Sequence, residues 1–281
     1  MTDMHSYTVD ISINSRPFSV FVSEQGVGSP VVFLHGSGPG ASGLSNFSRN
    51  TDHFVQQGFR VVVIDFPGWG KSSPVVLSDM GRTEFNARVL NEVLGALDID
   101  ECDIVGNSMG GSSALHFAAL YPNKARRLIV MGGGVTRRSL FHASPTEGIS
   151  RINELYESPS RENLARMLRA FVGDPTTLTD VLIEGRWQAM QASEEHLKNF
   201  VASKKAHTGG RDELLSAIPS LNHRVLILWG KEDRFVPLDV GLTLFSLLKD
   251  PEMHIFAKCG HWTQWEQSDR FNSISIEFLR S

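Results

Sequence analysis

Disulfide-forming cysteines, an excess of basic residues and long apolar runs are all missing from this sequence of 281 residues. The two cysteines, Cys102 and Cys259, can form neither a disulfide framework nor the ligand spacing of a metal site. Lys and Arg number 27 against 31 Asp and Glu, and a net charge of −4 argues against a nucleic-acid partner. No run approaches the roughly 18 apolar residues that a membrane span requires. The first ten residues lack the apolar core of a secretory signal. These absences predict a cytoplasmic globular protein that binds neither nucleic acid nor membrane.

Apolar residues follow two different patterns along the chain. Between residues 7 and 22 they alternate with polar residues, which predicts a half-exposed antiparallel hairpin. From residue 31 onwards, short runs that are apolar at every position alternate with segments of helical period. This arrangement is typical of strands covered by helices on both faces, and it predicts an α/β fold with a mostly parallel central sheet. The predicted strands are 31–34, 60–64, 103–105, 128–131, 224–229 and 253–256, and the predicted helices are 45–57, 83–97, 110–120, 239–248 and 269–279.

The segment 135–207 interrupts this alternation. It carries several amphipathic helical patterns and no convincing strand. A helical block inserted between two sheet strands predicts a lid over the carboxyl edge of the sheet. We therefore divide the chain into an α/β core of residues 1–134 and 208–281 and a helical lid insertion of residues 135–207. The predicted lid helices are 149–157, 161–172, 178–193 and 194–206.

A nucleophile elbow is the strongest chemical signal. The run Gly-Asn-Ser-Met-Gly at 106–110 matches G-x-S-x-G, follows a predicted strand and begins a predicted helix. Small residues on both sides of Ser108 permit a sharp turn that exposes its hydroxyl at the sheet edge. The start of the helix supplies backbone N–H groups for a developing oxyanion. We therefore predict Ser108 as a catalytic nucleophile.

A serine nucleophile needs a base, and in this arrangement the base follows the last strand. His261 lies in the turn after the predicted strand 253–256, whereas the other histidines lie in strands, helices, the lid or other loops. The acid that orients the imidazole should follow the strand before it, 224–229. Both Glu232 and Asp233 lie there and are candidates.

A glycine-rich loop follows the first buried strand, at residues 35–43. It matches neither G-x-G-x-x-G nor G-x-x-x-x-G-K-[ST], and no acidic residue follows at dinucleotide spacing, so a phosphate site is not predicted. Beside an elbow serine, such a loop donates the second oxyanion N–H. We predict that the backbone N–H groups of Ser37 and Gly38, with that of Met109, form the oxyanion hole.

Longer stretches around these residues carry a family resemblance. They are His-Gly-Ser-Gly-Pro-Gly-Ala-Ser-Gly-Leu-Ser-Asn-Phe-Ser-Arg-Asn at 35–50, Gly-Asn-Ser-Met-Gly-Gly at 106–111, Met-Gly-Gly-Gly at 131–134, Trp-Gly-Lys-Glu-Asp-Arg-Phe-Val-Pro at 229–237, Cys-Gly-His-Trp-Thr-Gln-Trp-Glu at 259–266, and the lid segments 184–187 and 195–200. The chain resembles the α/β-hydrolase superfamily over nearly its whole length. More narrowly, it resembles the meta-cleavage product hydrolases, the carbon–carbon bond hydrolases of bacterial aromatic catabolism. Tryptophan directly after the histidine is the specific element, because most esterases lack it.

The resemblance implies a substrate and its contacts. Such enzymes hydrolyse 2-hydroxy-6-oxohexa-2,4-dienoates to 2-hydroxypenta-2,4-dienoate and a carboxylic acid, without metal or cofactor. The resemblance selects Asp233 as the acid and favours a homo-oligomer. Arg186 suits the substrate carboxylate because its planar guanidinium pairs with it bidentately. Asn46, Asn107 and the indole N–H of Trp262 are the other expected contacts.

The reaction implied by the resemblance has two stages. We expect His261 to move a proton to C5, converting the dienol to its keto tautomer, before Ser108 attacks the C6 ketone. We expect the C6 substituent to lie in an apolar pocket. Its composition stays open between phenyl, substituted phenyl, carboxyethyl and alkyl. The residues assigned to this pocket are Phe235 and Val236 as walls and Phe171 and Met167, at i and i+4 on a lid helix, as roof.

Two other readings compete with this one. A serine esterase or lactonase would use the same triad but would not need Arg186, Asn46, Asn107 and Trp262 in one subsite. A non-catalytic ligand-binding protein of the same fold would bind a ligand without turning it over. The complete triad and both oxyanion elements weigh against the second reading.

Overall fold

The computed structural model describes residues 4–134, 139–206 and 211–281. Within them, eight strands form one sheet in the order β1-β2-β4-β3-β5-β6-β7-β8. The pairs β1–β2 and β2–β4 are antiparallel, and the remaining pairs are parallel. The prediction of a mostly parallel sheet with an N-terminal antiparallel hairpin is confirmed. The strands are β1 His5–Ile13, β2 Arg16–Gln25, β3 Ser29–Leu34, β4 Phe59–Ile64, β5 Cys102–Asn107, β6 Ala125–Met131, β7 Arg224–Gly230 and β8 Asp250–Phe256.

Helices connect the strands of the core. They are α1 Gly43–Phe47, α2 Thr51–Gln56, α3 Arg82–Ala96, α4 Met109–Leu120, α9 Arg211–Ala217, α10 Leu238–Leu247, α11 Thr263–Glu266 and α12 Ser268–Arg280. The single helix predicted over 45–57 is wrong, because α1 and α2 are separate. Between them the backbone of Asn50 leaves helical geometry, and its buried amide donates to the carbonyl oxygen of Gln264 and to Asn272. The short α9 and α11 were not predicted, because seven and four residues are too few to show a helical period.

Burial on both faces explains the unbroken apolar runs. In β3, Val31 and Phe33 pack into one hydrophobic cluster, whereas Val32 and Leu34 pack into the cluster on the opposite face. All four side chains are fully buried. Because successive side chains of a strand point to opposite faces, a strand covered on both sides must be apolar at every position. The outer strand β1 instead alternates between exposed and buried positions.

The lid lies between β6 and β7 in the sequence. Its helices are α5 Glu147–Glu157, α6 Arg161–Phe171, α7 Asp180–Ala192 and α8 Glu194–Ala206, with a 3₁₀ turn at Pro175–Thr177. These helices bury a further hydrophobic cluster, which also includes Phe235, Trp262 and Trp265 of the core. The domain boundaries at 134/135 and 207/208 fall at residues 135–138 and 207–210, outside the described residues, so this division stays a prediction. None of the helices in the described ranges is long and apolar enough to cross a bilayer.

Candidate active site

Ser108 lies at the turn between β5 and α4. It has φ 54° and ψ −115°, a backbone conformation that residues other than glycine rarely adopt. Its N–H donates to the carbonyl oxygen of Met131 at 2.7 Å. A Cβ atom at Gly106 would overlap the backbone of Gly110, and one at Gly110 would overlap the backbone of Leu34. The glycines therefore permit the close turn that holds the serine at the carboxyl edge of the sheet.

His261 and Asp233 meet after the ends of β8 and β7. The imidazole Nδ1 lies 2.7 Å from Oδ2 of Asp233, and both side chains are 1% exposed. Because an ionised carboxylate only accepts, Nδ1 carries the proton and Nε2 is left as an acceptor. The other carboxylate oxygen of Asp233 accepts the N–H groups of Phe235 and Val236 at 2.8 and 2.9 Å. Glu232 instead accepts the N–H of Cys259 at 3.0 Å. Of the two acids left open by their position, Asp233 contacts the histidine.

Close packing fixes the His261 side chain. Its ring stacks on Phe235 with 5.2 Å between centroids. Gly132, after β6, has φ +57°, and a Cβ there would come within 2.5 Å of Cε1 of the imidazole. A glycine at this position is therefore required by the histidine as well as by its own backbone.

A cavity of about 70 Å³ lies beside Ser108 under the lid. Most of the residues that the sequence predicts for the site line this cavity. Ile149 and Ile152 also line it, and they were not predicted from the sequence. Both isoleucines lie in the predicted helix 149–157, but its period does not tell which face meets the cavity. The lining residues are Gly36, Ser37, Gly38, Asn46, Asn107, Ser108, Ile149, Ile152, Phe171, Arg186, Phe235, Val236 and Trp262.

Four predicted residues lie apart from the cavity lining: His261 and Asp233, described above, and Met167 and Met109. Met167 is fully buried in the lid cluster, because it lies one turn before Phe171 on α6 and points into the contacts among lid helices. Only Phe171 of this pair reaches the cavity. Met109 directly follows the serine and is the first residue of α4, so its backbone belongs to the N-terminus of that helix. Its oxyanion role concerns the backbone N–H and stays a prediction.

His35 holds the glycine-rich loop in place. Its Nδ1 donates to the carbonyl oxygen of Gly36 at 2.8 Å, and its Nε2 accepts the N–H of Phe66 at 2.9 Å. Burial lowers the pKa of this imidazole, in keeping with a neutral ring that donates on one side and accepts on the other. The loop carrying Ser37 and Gly38 is thereby anchored to the chain that follows β4.

Arg186 is a buried cation on α7. Nη1 donates to Oγ of Ser45 at 2.7 Å, whereas Nε is buried without a hydrogen-bond partner. Among the described residues, no carboxylate lies within 4.0 Å of its guanidinium group. Burial lowers its pKa to about 10. The lid arginines Arg151, Arg161 and Arg166, by contrast, pair with carboxylates at the surface. A buried cation without a counter-ion is typical of an anion-binding site.

The two asparagines near Arg186 differ in whether their side-chain oxygen has a hydrogen-bond partner. Oδ1 of Asn46 accepts the N–H of Gly36 at 3.1 Å, so this side chain supports the glycine-rich loop. Nδ2 of Asn107 donates to the carbonyl oxygen of His261 at 3.3 Å. Oδ1 of Asn107 is buried without a partner. Asn107 therefore offers an unused acceptor beside the serine.

A wider cleft of about 610 Å³ adjoins the cavity. Arg186, Asn46 and Trp262 line both spaces and therefore form a partition between them. The sequence pattern does not indicate this outer cleft, because its walls come from the lid, the glycine-rich loop and the N-terminal hairpin together. In the ranges 4–134, 139–206 and 211–281, no group of three or more His, Cys, Asp or Glu side chains is arranged to hold a metal ion.

An elbow serine after one parallel strand, and a His–Asp pair after two others, are the arrangement of the serine hydrolases with an α/β-hydrolase fold. Comparison with known proteins agrees, since the family model of the alpha/beta hydrolase fold matches residues 29–268. A 2-hydroxy-6-oxononadienedioate/2-hydroxy-6-oxononatrienedioate hydrolase from Cupriavidus pinatubonensis is 46% identical over 272 residues, covering 96% of this chain and 94% of that protein. The protein of the same name from Escherichia coli K12 is 47% identical over 249 residues, covering 89% and 86%.

A solved structure extends the comparison. The meta-cleavage product hydrolase from Pseudomonas fluorescens IP01 superposes with a TM-score of 0.80 at 29% identity, covering 94% of each chain. The chain belongs to the α/β-hydrolase family and, within it, to the meta-cleavage product hydrolases, which are carbon–carbon bond hydrolases. The family predicted from the sequence motifs is thereby confirmed.

Proposed function

We propose that this protein hydrolyses the C5–C6 bond of 2-hydroxy-6-oxohexa-2,4-dienoates. The supporting observation is Arg186, a buried cation that meets no carboxylate in the described part of the chain and lines the same cavity as Ser108. Burying an unpaired cation costs free energy, and a substrate carboxylate offsets that cost when it binds. A neutral ester would leave the cation unpaired, so Arg186 favours the dienoate over the esterase interpretation.

The polar end of the cavity would hold the dienoate. Arg186 pairs with the C1 carboxylate, and Oδ1 of Asn107 accepts a hydrogen bond from the 2-hydroxyl group of the dienol form. The indole N–H of Trp262 is a further donor in this subsite. This arrangement fixes the substrate at the end remote from the scissile bond, and it leaves C6 beside Ser108.

The chemistry would proceed in two stages at the other end. Nε2 of His261 takes up the 2-hydroxyl proton and delivers it to C5, so that C2 becomes a ketone and Nε2 is again an acceptor. Oγ of Ser108 then attacks C6 and loses its proton to Nε2 of His261, and the oxyanion accepts hydrogen bonds from the backbone of Ser37 or Gly38 and Met109.

Cleavage follows from this intermediate. The C5–C6 electron pair moves into the departing five-carbon fragment as a dienolate whose charge rests on O2. The His261 imidazolium returns its proton to this dienolate, which gives 2-hydroxypenta-2,4-dienoate and a neutral imidazole. The acyl group stays on Ser108. One water molecule, activated by His261, releases it as a carboxylic acid.

The two named relatives suggest the C6 group. Both are called hydrolases of 2-hydroxy-6-oxononadienedioate, whose C6 group is a carboxyethyl chain. We propose this group as the preferred one among phenyl, substituted phenyl, carboxyethyl and alkyl. Its methylene groups would pack on the apolar side of the cavity, lined by Ile149, Ile152, Phe171, Phe235 and Val236.

The experiment that tests the proposal mixes purified protein with 6-carboxyethyl, 6-phenyl and 6-methyl dienoates and with a neutral nitrophenyl ester. We expect the yellow dienoate absorbance to bleach while hydroxypentadienoate and the matching acid form. Fast ester turnover without dienoate cleavage would favour the esterase, and binding of dienoate without turnover would favour the ligand-binding protein.

A Ser108→Ala variant tests the acyl-enzyme stage. We expect it to convert the dienol to the keto tautomer but not to cleave it, because the nucleophile is missing while His261 is unchanged. Stopped-flow absorbance separates these two events. Cleavage by Ser108→Ala at the parent rate would contradict the acyl-enzyme scheme.

A homo-oligomeric state and a cytoplasmic location complete the proposal. They are supported by the family resemblance. Light scattering on the purified protein tests the first, and fractionation of cells expressing the chain tests the second. A monomer in solution, or recovery from a secreted fraction, would contradict the respective statement.

A further inference from the structure

The base of the lid meets the His261 loop backbone against backbone. The N–H of His261 donates to the carbonyl oxygen of Phe171, the last residue of α6, at 2.6 Å. A Cβ atom at Gly173 would lie 2.7 Å from the backbone nitrogen of Cys259, and one at Gly260 would lie 2.5 Å from the carbonyl oxygen of Phe171. Both glycines are therefore needed for this approach, because any side chain would force the two backbones apart.

The carboxylate of Glu266 joins the two backbones. One oxygen, Oε2, accepts the N–H of Gly173 at 2.7 Å on the lid side. The other, Oε1, accepts the N–H of Gly260 at 2.8 Å on the loop side, with the thiol of Cys259 at 3.7 Å. Burial raises the pKa of this carboxyl, and the backbone N–H groups act in the opposite direction. Glu266 thus uses one oxygen for each of the two segments.

We propose that Glu266 is a positioning residue that holds His261 in register with the base of the lid. This inference rests on the proposed function, in which His261 must reach both C5 and Oγ of Ser108 while Phe171 roofs the same cavity. The ring of Phe171 stacks on Phe235 at 4.0 Å and on Trp262 at 4.6 Å between centroids. A shift of the foot of the lid relative to the loop would therefore move His261 away from the cavity wall formed by Phe171.

Glu232 provides a matched control on the same loop. Its carboxylate accepts the N–H of Cys259, and within the described residues it accepts no N–H from the lid. A glutamine retains one acceptor oxygen and replaces the other with an N–H donor. In Glu232→Gln that one oxygen can keep the bond to Cys259. In Glu266→Gln the one remaining oxygen cannot serve the N–H groups of both segments, and the amide group faces a backbone N–H.

The experiment compares Glu266→Gln with Glu232→Gln in the intact protein. For Glu266→Gln we expect kcat to fall about tenfold to hundredfold, the range that a small misplacement of a catalytic group produces. We expect KM to stay within about twofold, because Glu266 does not line the cavity. Glu232→Gln should keep both constants within about twofold.

The imidazole proton gives a second readout. We expect the Nδ1 proton shared with Asp233 to resonate far downfield in the proton NMR spectrum, because it lies in a 2.7 Å hydrogen bond to a carboxylate. We expect this signal to shift or broaden in Glu266→Gln and to stay unchanged in Glu232→Gln. A role in stability alone would lower the melting temperature without moving the signal or changing kcat per folded molecule.

Parent-like kcat and an unmoved signal in Glu266→Gln would overturn the inference, and so would equal losses in the two variants. If Glu266→Gln does not fold, Glu266→Asp replaces it, since it keeps the charge but shortens the reach by one methylene. Parental kcat in Glu266→Asp would equally overturn the inference. A protein that cleaves esters but not dienoates would contradict the proposed function alone, because the NMR signal and the ester kcat still test Glu266.

Discussion

The two ends of the catalytic cavity are built in opposite ways. At the end with the base, Asp233 uses both carboxylate oxygens, for two backbone N–H groups and the imidazole of His261. At the polar end, Nε of Arg186 and Oδ1 of Asn107 are buried without a partner in the described part of the chain. The Asp233 carboxylate at one end has both oxygens hydrogen-bonded, whereas the polar end keeps a donor and an acceptor without partners.

This difference separates chemistry from binding. Satisfied buried groups hold their geometry before substrate arrives, which a base needs if no energy is to be spent on reorganisation. Unsatisfied buried groups destabilise the free protein, and a ligand that supplies the missing partners gains that free energy on binding. Under the proposed function, the substrate is recognised through its carboxylate and hydroxyl and transformed at its C5–C6 bond.

Asp233→Asn breaks the complete end and should have the largest effect. Asparagine has one acceptor oxygen where aspartate has two. It therefore cannot accept from both the imidazole Nδ1 and the two backbone N–H groups, and its amide N–H favours the wrong imidazole tautomer. We expect kcat to fall by about 10³–10⁴ for dienoate and ester alike. Steady-state kinetics on both substrates checks this. A loss confined to the dienoate would show that Asp233 serves binding rather than the base.

Arg186→Gln breaks the polar end and should discriminate between substrates. Hydrogen bonds to a charged group contribute about 1.5–3 kcal/mol, so we expect kcat/KM for the dienoate to fall about tenfold to hundredfold. Turnover of a neutral nitrophenyl ester should change less than twofold. Equal losses on both substrates would contradict the assignment of Arg186 to the carboxylate.

Raising the pH should reproduce the Arg186 variant reversibly. Burial lowers the pKa of Arg186 to about 10, so the cation is intact at neutral pH and is lost as pH rises through that value. We expect kcat/KM for the dienoate to fall above about pH 10, approaching tenfold per pH unit. Ester turnover, measured where circular dichroism shows the protein folded, is the control and should not follow this profile.

Arg186→Met should have the smallest effect, which is an increase in the stability of the protein. A pKa lowered from 12.5 to about 10 corresponds to about 3 kcal/mol for burying the cation. We expect removal of the charge to raise the free energy of unfolding by about 1–3 kcal/mol, and the melting temperature by a few degrees. Calorimetry checks this, with Arg161→Met, at the lid surface, as the control that should not stabilise.

Local patterns predict much of the fold and part of the site. Strands buried on both faces carry unbroken apolar runs, so β3 and β4 were predicted within two residues of their ends. Ser108 lies at the predicted turn because the elbow is a short-range feature of five residues. The sequence around α1 and α2 misleads, because the break at Asn50 is set by its contacts with Gln264 and Asn272, more than 200 residues away.

Tertiary contacts decide what the patterns leave open. Glu232 and Asp233 are neighbours of the same charge, and only the direction of the chain after β7 selects the one that meets His261. Arg186 differs from the other lid arginines by burial, which no local pattern reports. The helical period puts Met167 and Phe171 on one face, but it does not tell how deeply each is buried.

The order of the catalytic residues along the chain sets the point in synthesis at which the site can be complete. Across one half of the sheet the strands lie in chain order, β5-β6-β7-β8. Each strand of this half therefore lies beside the one synthesised before it. Ser108 follows β5, Asp233 follows β7 and His261 follows β8, so the nucleophile is made first and the base last. A partly synthesised chain carries a serine without its base, and hydrolysis begins only when the sheet is complete.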